Sequence, residues 1–215
     1  MNRELIITLP RYDPATEYLS QFSRDIIKEA EDNNIKLKRL KGKDSNKNNF
    51  EKVINKLNYN MIMFNGHGSD KTIMGHDDES LIILGKNEHL ITERIIYARA
   101  CNAANTLGKE CIKNTKNGCF IGYNVNYMFY TDTNWDLNPL KDNIAKMFLD
   151  SSNIIPISLI KGNSAEEADK KSKNQILKNI NKVLKNKNQE SFMIAEALWN
   201  NYVGQVVLGN KDIKF

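Results

Sequence analysis

The sequence predicts a single α/β domain over residues 1–215, three layers deep, with a mostly parallel central sheet covered by helices on both faces. Three observations predict it. Strand-like and helix-like segments alternate along the chain. The strand-like segments Met61-Ile-Met-Phe64 and Ile95-Ile-Tyr-Ala98 are apolar throughout, the pattern of strands buried on both sides. A length of 215 residues, 40% of them apolar and 27% charged, suits one domain with a sizeable core.

The elements follow in order. Glu4–Leu9 is a short β-rich run. Asp13-Pro14 reads as an N-cap with proline at the first helical position, and Ala15, Tyr18, Leu19, Phe22, Ile26, Ile27 and Ala30 then recur at helical spacing. Residues 35–40 alternate apolar and basic, as an edge strand does. Phe50, Val53, Ile54 and Leu57 mark a second amphipathic helix before the buried strand at 61–64. Residues 71–84 carry two short β-like stretches around Gly75-His76-Asp77-Asp78, a hairpin. A buried strand over 94–98, a helix with Ala104, Leu107 and Cys111 on one face, and a strand over 118–122 come next. Residues 123–139 are aromatic and polar without a period and read as loop, and 140–149 as helix. Pro156 leaves 153–162 open between helix and loop. A long helix carries Ala168, Ser172, Ile176, Ile180, Val183 and Leu184 inward. A helix over 192–202 and a strand over 203–208 finish the chain.

Composition narrows the function. Net charge is +5, but Lys outnumbers Arg 25 to 6 among the 31 cations. Arg is the better reader of phosphates and base edges, so solvated surface lysines are expected instead of direct nucleic-acid binding. The lysine-rich face of residues 170–187 lacks interleaved aromatics, and Glu166, Glu167 and Asp169 neutralise its start. No apolar run approaches the roughly 18 residues of a membrane span. The first residues show no leader pattern, and three cysteines, an odd number, do not make a disulfide framework. A reducing, cytoplasmic setting is expected.

The chemistry is expected at the carboxyl ends of the strands, where open α/β sheets hold their ligands. One strand runs into Asn65-Gly66-His67-Gly68 and another into Arg99-Ala100-Cys101. Neighbouring strands lie about 4.8 Å apart, so His67 and Cys101 would leave the same sheet edge together. An imidazole beside a thiol suits nucleophilic catalysis. Backbone amides at Gly68 and Cys101 are positioned to hold a developing oxyanion. A helix starting just after Cys101 is expected to depress its pKa. Cys111 and Cys119 read as core. His76 and His89 show no ligand spacing with any cysteine, so no zinc site is expected.

These blocks carry a resemblance. Met61-Ile-Met-Phe-Asn-Gly-His67-Gly68 and Ile95-Ile-Tyr-Ala-Arg-Ala-Cys101 resemble the His-Gly and Ala-Cys strand ends of the caspase-like cysteine peptidases, the group with caspases, legumain, gingipain, clostripain and separase. The hairpin after His67, Gly162-Asn-Ser-Ala-Glu-Glu-Ala168, and the ending from Leu198-Trp199 to Gly209-Asn210 make the chain most similar to the CHAT branch of that group. The usual Gln-Ala-Cys-x-Gly reads Arg99-Ala100-Cys101-Asn102-Ala103, and Asn210 stands where the branch ends in Asp. The resemblance implies a caspase-like three-layer fold. It also implies peptide cleavage by a His67–Cys101 dyad with an oxyanion hole at Gly68 and Cys101, without metal or cofactor. It places Arg99 in the pocket for the residue before the scissile bond, where a cation would favour an acidic side chain. The alternative is that Arg99 turns aside to a carboxylate such as Asp13 or Asp132. Arg11 and Asp13 lie on the same edge and are further pocket candidates. Tyr127, Tyr130 and Trp135 offer walls, although core packing explains them equally. Asp70 is near His67 in sequence, but no third catalytic residue is evident. A protein or peptide substrate is expected, with activation by a protein partner. The rival class is a catalytically idle caspase-like interaction module.

Overall fold

The computed structural model describes residues 3–56 and 59–215; Leu57, expected on the second helix, lies outside the described residues. In chain order the strands are β1 (Glu4–Leu9), β2 (Lys36–Lys41), β3 (Met61–Asn65), β4 (Thr72–Met74), β5 (Ser80–Ile83), β6 (Ile95–Arg99), β7 (Cys119–Tyr123) and β8 (Gln205–Gly209). The α-helices are α1 (Pro14–Phe22), α2 (Arg24–Asp32), α3 (Lys47–Lys56), α4 (Thr106–Ile112), α5 (Asn143–Ile160), α6 (Ala165–Val183) and α7 (Gln189–Gly204).

Six strands form one sheet in the order β2-β1-β3-β6-β7-β8. Every neighbouring pair is parallel except β7 and β8, which run antiparallel. β4 and β5 form the separate antiparallel hairpin expected after His67. Alternate residues of the central strands fill the two faces. Ile6, Ile62, Phe64, Ile96, Ala98 and Phe120 meet Phe50 and Ile54 of α3, Leu107 of α4 and the hairpin. Leu5, Ile7, Met61, Met63, Tyr97 and Ile121 meet Ile26 of α2, Ile155 and Leu159 of α5 and Ala168 of α6. These strands are sealed on both sides, which is why their sequences show no polar alternation. β2 sits at the edge, and its exposed lysines Lys36, Lys38 and Lys41 blunt it against further pairing. A third cluster joins α1, α5, α6 and α7 through Tyr18, Phe22, Phe148, Ile176 and Leu198.

Three stretches differ from expectation, and the one left open is resolved. The helical spacing that runs from Pro14 to Ala30 is two helices broken at Ser23. Ser23 Oγ donates to the Leu19 carbonyl at 2.8 Å, and side chains from β6 and α5 take what the helix gives up: Arg99 bonds Leu19 O and Asn153 bonds Phe22 O. The open stretch 153–162 is helix as far as Ile160, straight through Pro156. Burial of Ile155, Leu159 and Ile160 outweighs the lost proline N–H, and Gly162, at φ +82°, then turns the chain. α5 starts at Asn143 instead of 140, because Asp142 caps it by accepting from the Ile144 and Ala145 amides. The final strand starts at Gln205; Val203 belongs to α7. The expected α6 start is a capping box, with Ser164 Oγ accepting from the Glu167 amide and the Glu167 carboxylate accepting from the Ser164 amide.

Candidate active site

Strand order locates the site before any side chain is considered. β2 lies on one side of β1, and β3, β6 and β7 follow in turn on the other, so the winding reverses between β1 and β3. The crevice at such a reversal, outside the carboxyl ends, is where doubly wound sheets bind ligands. β1 leads there into Pro10-Arg11-Tyr12-Asp13, and β3 into Gly66-His67-Gly68.

The β3–β6 register ends with Asn65 beside Arg99, two residues before His67 and Cys101 respectively. Backbone contacts show that the two loops stay together beyond it. A Cβ placed on Gly68 would lie 2.9 Å from Ala100 Cβ, 3.0 Å from the Cys101 carbonyl oxygen and 3.2 Å from that of Thr72. Only glycine permits this approach. Gly66 is tighter still: its φ is +148°, and a Cβ would come within 2.3 Å of the Met74 carbonyl oxygen. The hairpin holds the His67 segment from outside, through Met74 N donating to His67 O and Ser69 N donating to Thr72 O. Those bonds flank the Gly68–Ile73 bridge, so Gly68 is the non-hydrogen-bonded member and its own N–H points away from the hairpin. Neither the Gly68 nor the Cys101 amide donates to another residue's acceptor among the described residues.

His67 is partly open, with 41% of its side chain exposed. Its Nε2 lies 2.6 Å from Asp13 Oδ2, and the Tyr12 ring stands edge-on to it at 6.1 Å. Cys101 is half-buried, and its thiol donates to the Tyr127 carbonyl at 3.8 Å; no hydrogen bond joins the sulfur to His67. The expected depression of this thiol is not found. α4 begins at Thr106, five positions on, so Cys101 receives no helix terminus. Burial pushes the thiol up, and the Tyr127 backbone and the residue's own amide offset that only in part.

Arg99 is the largest correction. It is not a pocket cation: its exposure is 0%, and all three guanidinium nitrogens are engaged. Nε and Nη2 donate to Asn65 Oδ1 at 3.0 and 2.7 Å. Nη1 donates to Ser152 Oγ and Asn153 Oδ1, both at 2.9 Å, and Nη2 also reaches Leu19 O and Ser23 Oγ. Every acceptor is neutral, so the carboxylate pairing with Asp13 or Asp132 is not found either. The side chain points toward the helices broken at Ser23, and its charge is spread over hydroxyl, amide and backbone carbonyl oxygens instead of offered to a ligand.

The remaining candidates divide. Arg11 sits on the expected edge, but its guanidinium is taken by Glu17 at 2.5 and 2.6 Å. Asp13 is in the site as a partner of His67. Tyr127 contributes its carbonyl to Cys101, while its ring packs on Tyr123 at 4.6 Å with a buried hydroxyl that has no partner among the described residues. Tyr130 packs edge-on to Phe148 at 6.2 Å. Trp135 lies under the Lys141 ammonium at 5.9 Å. Asp132 is used locally: it caps a short 3-10 turn by accepting from the Asn134 amide, which removes it from the pocket. Asp70 faces α4, accepting from the Leu107 amide through its carbonyl, and does not meet His67. Cys111 and Cys119 are core residues, as expected, and burial pushes both thiols to about 12.

Two clefts of about 380 Å³ meet at Pro14 beside this centre. One is lined by Tyr12, Asp13, Glu17, Tyr18 and Asp136, the other by Ala15, Tyr127, Met128, Phe129 and Thr131. A cavity of about 500 Å³ between Tyr130 and the start of α7 includes neither His67 nor Cys101. Among the described residues no three His, Cys, Asp or Glu side chains are placed to hold a metal ion, and no helix is long and apolar enough to cross a membrane. The feature missed in the sequence is the Asp13–His67 contact. The residues are 54 positions apart, and only the winding reversal, which needs the strand order, would have paired them. No family model matches the chain, and no curated protein matches it.

Proposed function

We propose that the chain is a cysteine endopeptidase of caspase-like, CHAT-type architecture. The observation that supports this best is the contact of Gly68 with Ala100 and Cys101, which keeps the imidazole loop and the thiol loop side by side past the end of the β3–β6 register. Cys101 gives its proton to His67, and the thiolate adds to the peptide carbonyl. The oxyanion is held by the Gly68 and Cys101 amides, which have no other residue's acceptor to serve among the described residues. His67 returns the proton to the leaving amine as the C–N bond breaks. Water, deprotonated by the same imidazole, then hydrolyses the thioester.

In the structure the thiol is turned to Tyr127 instead, and its pKa is raised. That is a resting arrangement, and it supports activation by a protein or ligand that moves residues 124–130. The same observation favours one rival, a caspase-like interaction module whose cysteine stays idle. Purified protein mixed with a peptide library, with and without candidate partners, separates the two. The peptidase cleaves, and Cys101→Ala abolishes cleavage together with the iodoacetamide labelling that an activating partner accelerates. Cleavage that survives Cys101→Ala overturns the peptidase mechanism, and none under any condition leaves the module.

A further inference from the structure

His67 has two ring nitrogens, and one is already committed. Nε2 meets Asp13 Oδ2 at 2.6 Å. Asp13 is itself immobilised: its Oδ1 accepts from the Thr16 amide at 2.7 Å and the Thr16 hydroxyl at 2.8 Å, and the Asp13 and Tyr12 amides both donate back to that hydroxyl. Capping α1 takes one carboxylate oxygen; the other is aimed across the β1–β3 reversal at the imidazole. Partial burial works against its charge, but the Thr16 amide and the His67 ring outweigh this and hold the carboxyl below its ordinary value. An ionised carboxylate accepts and never donates. The hydrogen of neutral His67 therefore sits on Nε2, and the lone pair sits on Nδ1.

We infer that Asp13 is the positioning residue of this site, fixing His67 as the Nε2–H tautomer so that Nδ1 is the atom that exchanges protons with Cys101. This rests on the peptidase reading and deepens it from a dyad to a Cys101–His67–Asp13 array. In the first step the Sγ–H bond breaks and an Nδ1–H bond forms, giving thiolate and imidazolium. The Nε2 proton stays on the ring, and Asp13 stabilises the new positive charge without taking a proton. Asp136 lines the cleft beside Asp13. Tyr12 stands between His67 and His76 and donates to Asp78, while Arg11 and Glu17 neutralise each other.

The test uses Asp13→Asn and Asp13→Ser. Both residues are strong helix N-caps, so α1 keeps its start. Asn must spend its oxygen on Thr16 and turn its NH₂ to the ring, which forces the His67 hydrogen onto Nδ1. Imidazole ¹⁵N spectra at neutral pH are expected to show Nε2–H in the wild type and Nδ1–H in Asp13→Asn. Hydrolysis of a peptide substrate is expected to fall at least about 100-fold in kcat with KM little changed. The pH profile of Cys101 alkylation, already raised by burial, should move further up, because an imidazolium beside the thiolate loses the carboxylate that stabilises it. A wild-type Nδ1–H tautomer, or Asp13→Asn with unchanged kcat and alkylation profile, overturns the assignment. If no peptide is cut by any form, the peptidase reading falls, and the tautomer and alkylation results still decide the role of Asp13.

Discussion

Asn65 Oδ1 accepts two hydrogen bonds from Arg99, at 3.0 and 2.7 Å, and these residues form the last register pair of the two strands that deliver His67 and Cys101. The bond is a cross-tie placed two residues before His67 and Cys101. Asn65 in turn donates to Thr8 O of β1 at 2.7 Å, so three strand ends are pinned around one guanidinium.

Arg99 is therefore expected to behave as a structural lock. Arg99→Met leaves Asn65, Ser152, Asn153 and Leu19 short of buried donors and should cost roughly 3 kcal/mol. Arg99→Lys cannot reproduce the planar fork and should cost at least about 1 kcal/mol. Urea midpoints measure both. A variant with a wild-type midpoint and an altered preference for acidic peptides would show that the guanidinium serves the substrate after all.

Gly68→Ala tests the contact between the two loops. The new methyl would meet two carbonyl oxygens and the Ala100 methyl at 2.9–3.2 Å, and the Thr72 carbonyl, bonded to the Ser69 amide, has little room to retreat. The expected result is a loss of about 1–3 kcal/mol of stability, with at least a tenfold drop in peptide hydrolysis as Gly68 N–H leaves its place. Thermal melts and kcat on the same samples are the measurement, and unchanged turnover would place the oxyanion donors elsewhere.

Much of this was legible in the amino acids. The apolar runs at β3 and β6 betray strands buried twice, and a His-Gly and an Ala-Cys ending such runs point to one sheet edge. Tertiary bonds were not legible. Ser23 breaks a helix whose periodicity is unbroken, because Arg99 from 76 positions away needs the Leu19 carbonyl. Pro156 fails to end α5 because its neighbours are buried against the sheet. Arg99 looks like a pocket cation until its acceptors are known, and those come from three separate segments, 19–23, 65 and 152–153. Asp13 was placed on the correct edge, but its partner follows only from the strand order.

Asp13 also links stability to pH. Its carboxyl lies below the ordinary value in the folded chain, so its contribution is present above the unfolded-state pKa, about 3.9, and is lost as pH falls through the folded value. Asp13→Ala should be destabilised by about 1 kcal/mol at pH 7 through loss of the α1 cap. The gap to wild type should close as pH drops below about 4. Denaturation at pH 7 and at pH 3 checks both halves, and a gap that stays constant would remove ionised Asp13 from the balance.

The three cysteines should separate by reactivity. Cys111 and Cys119 are buried in the two sheet-face cores with thiols near 12, so iodoacetamide should reach neither in the native state. Cys101 is half-exposed, but its proton is tied to Tyr127 and its pKa is raised by burial. The thiolate is the reactive form, so labelling of the isolated protein at pH 7 should be slow and should climb as pH rises past the free-thiol value of about 8.5. Mass spectrometry of native protein should find one adduct, at Cys101, against three after denaturation. An activating partner should raise the pH 7 rate by releasing the thiol from Tyr127 to His67. Fast labelling at pH 7 by the isolated chain would mean that the Tyr127 contact does not restrain the sulfur.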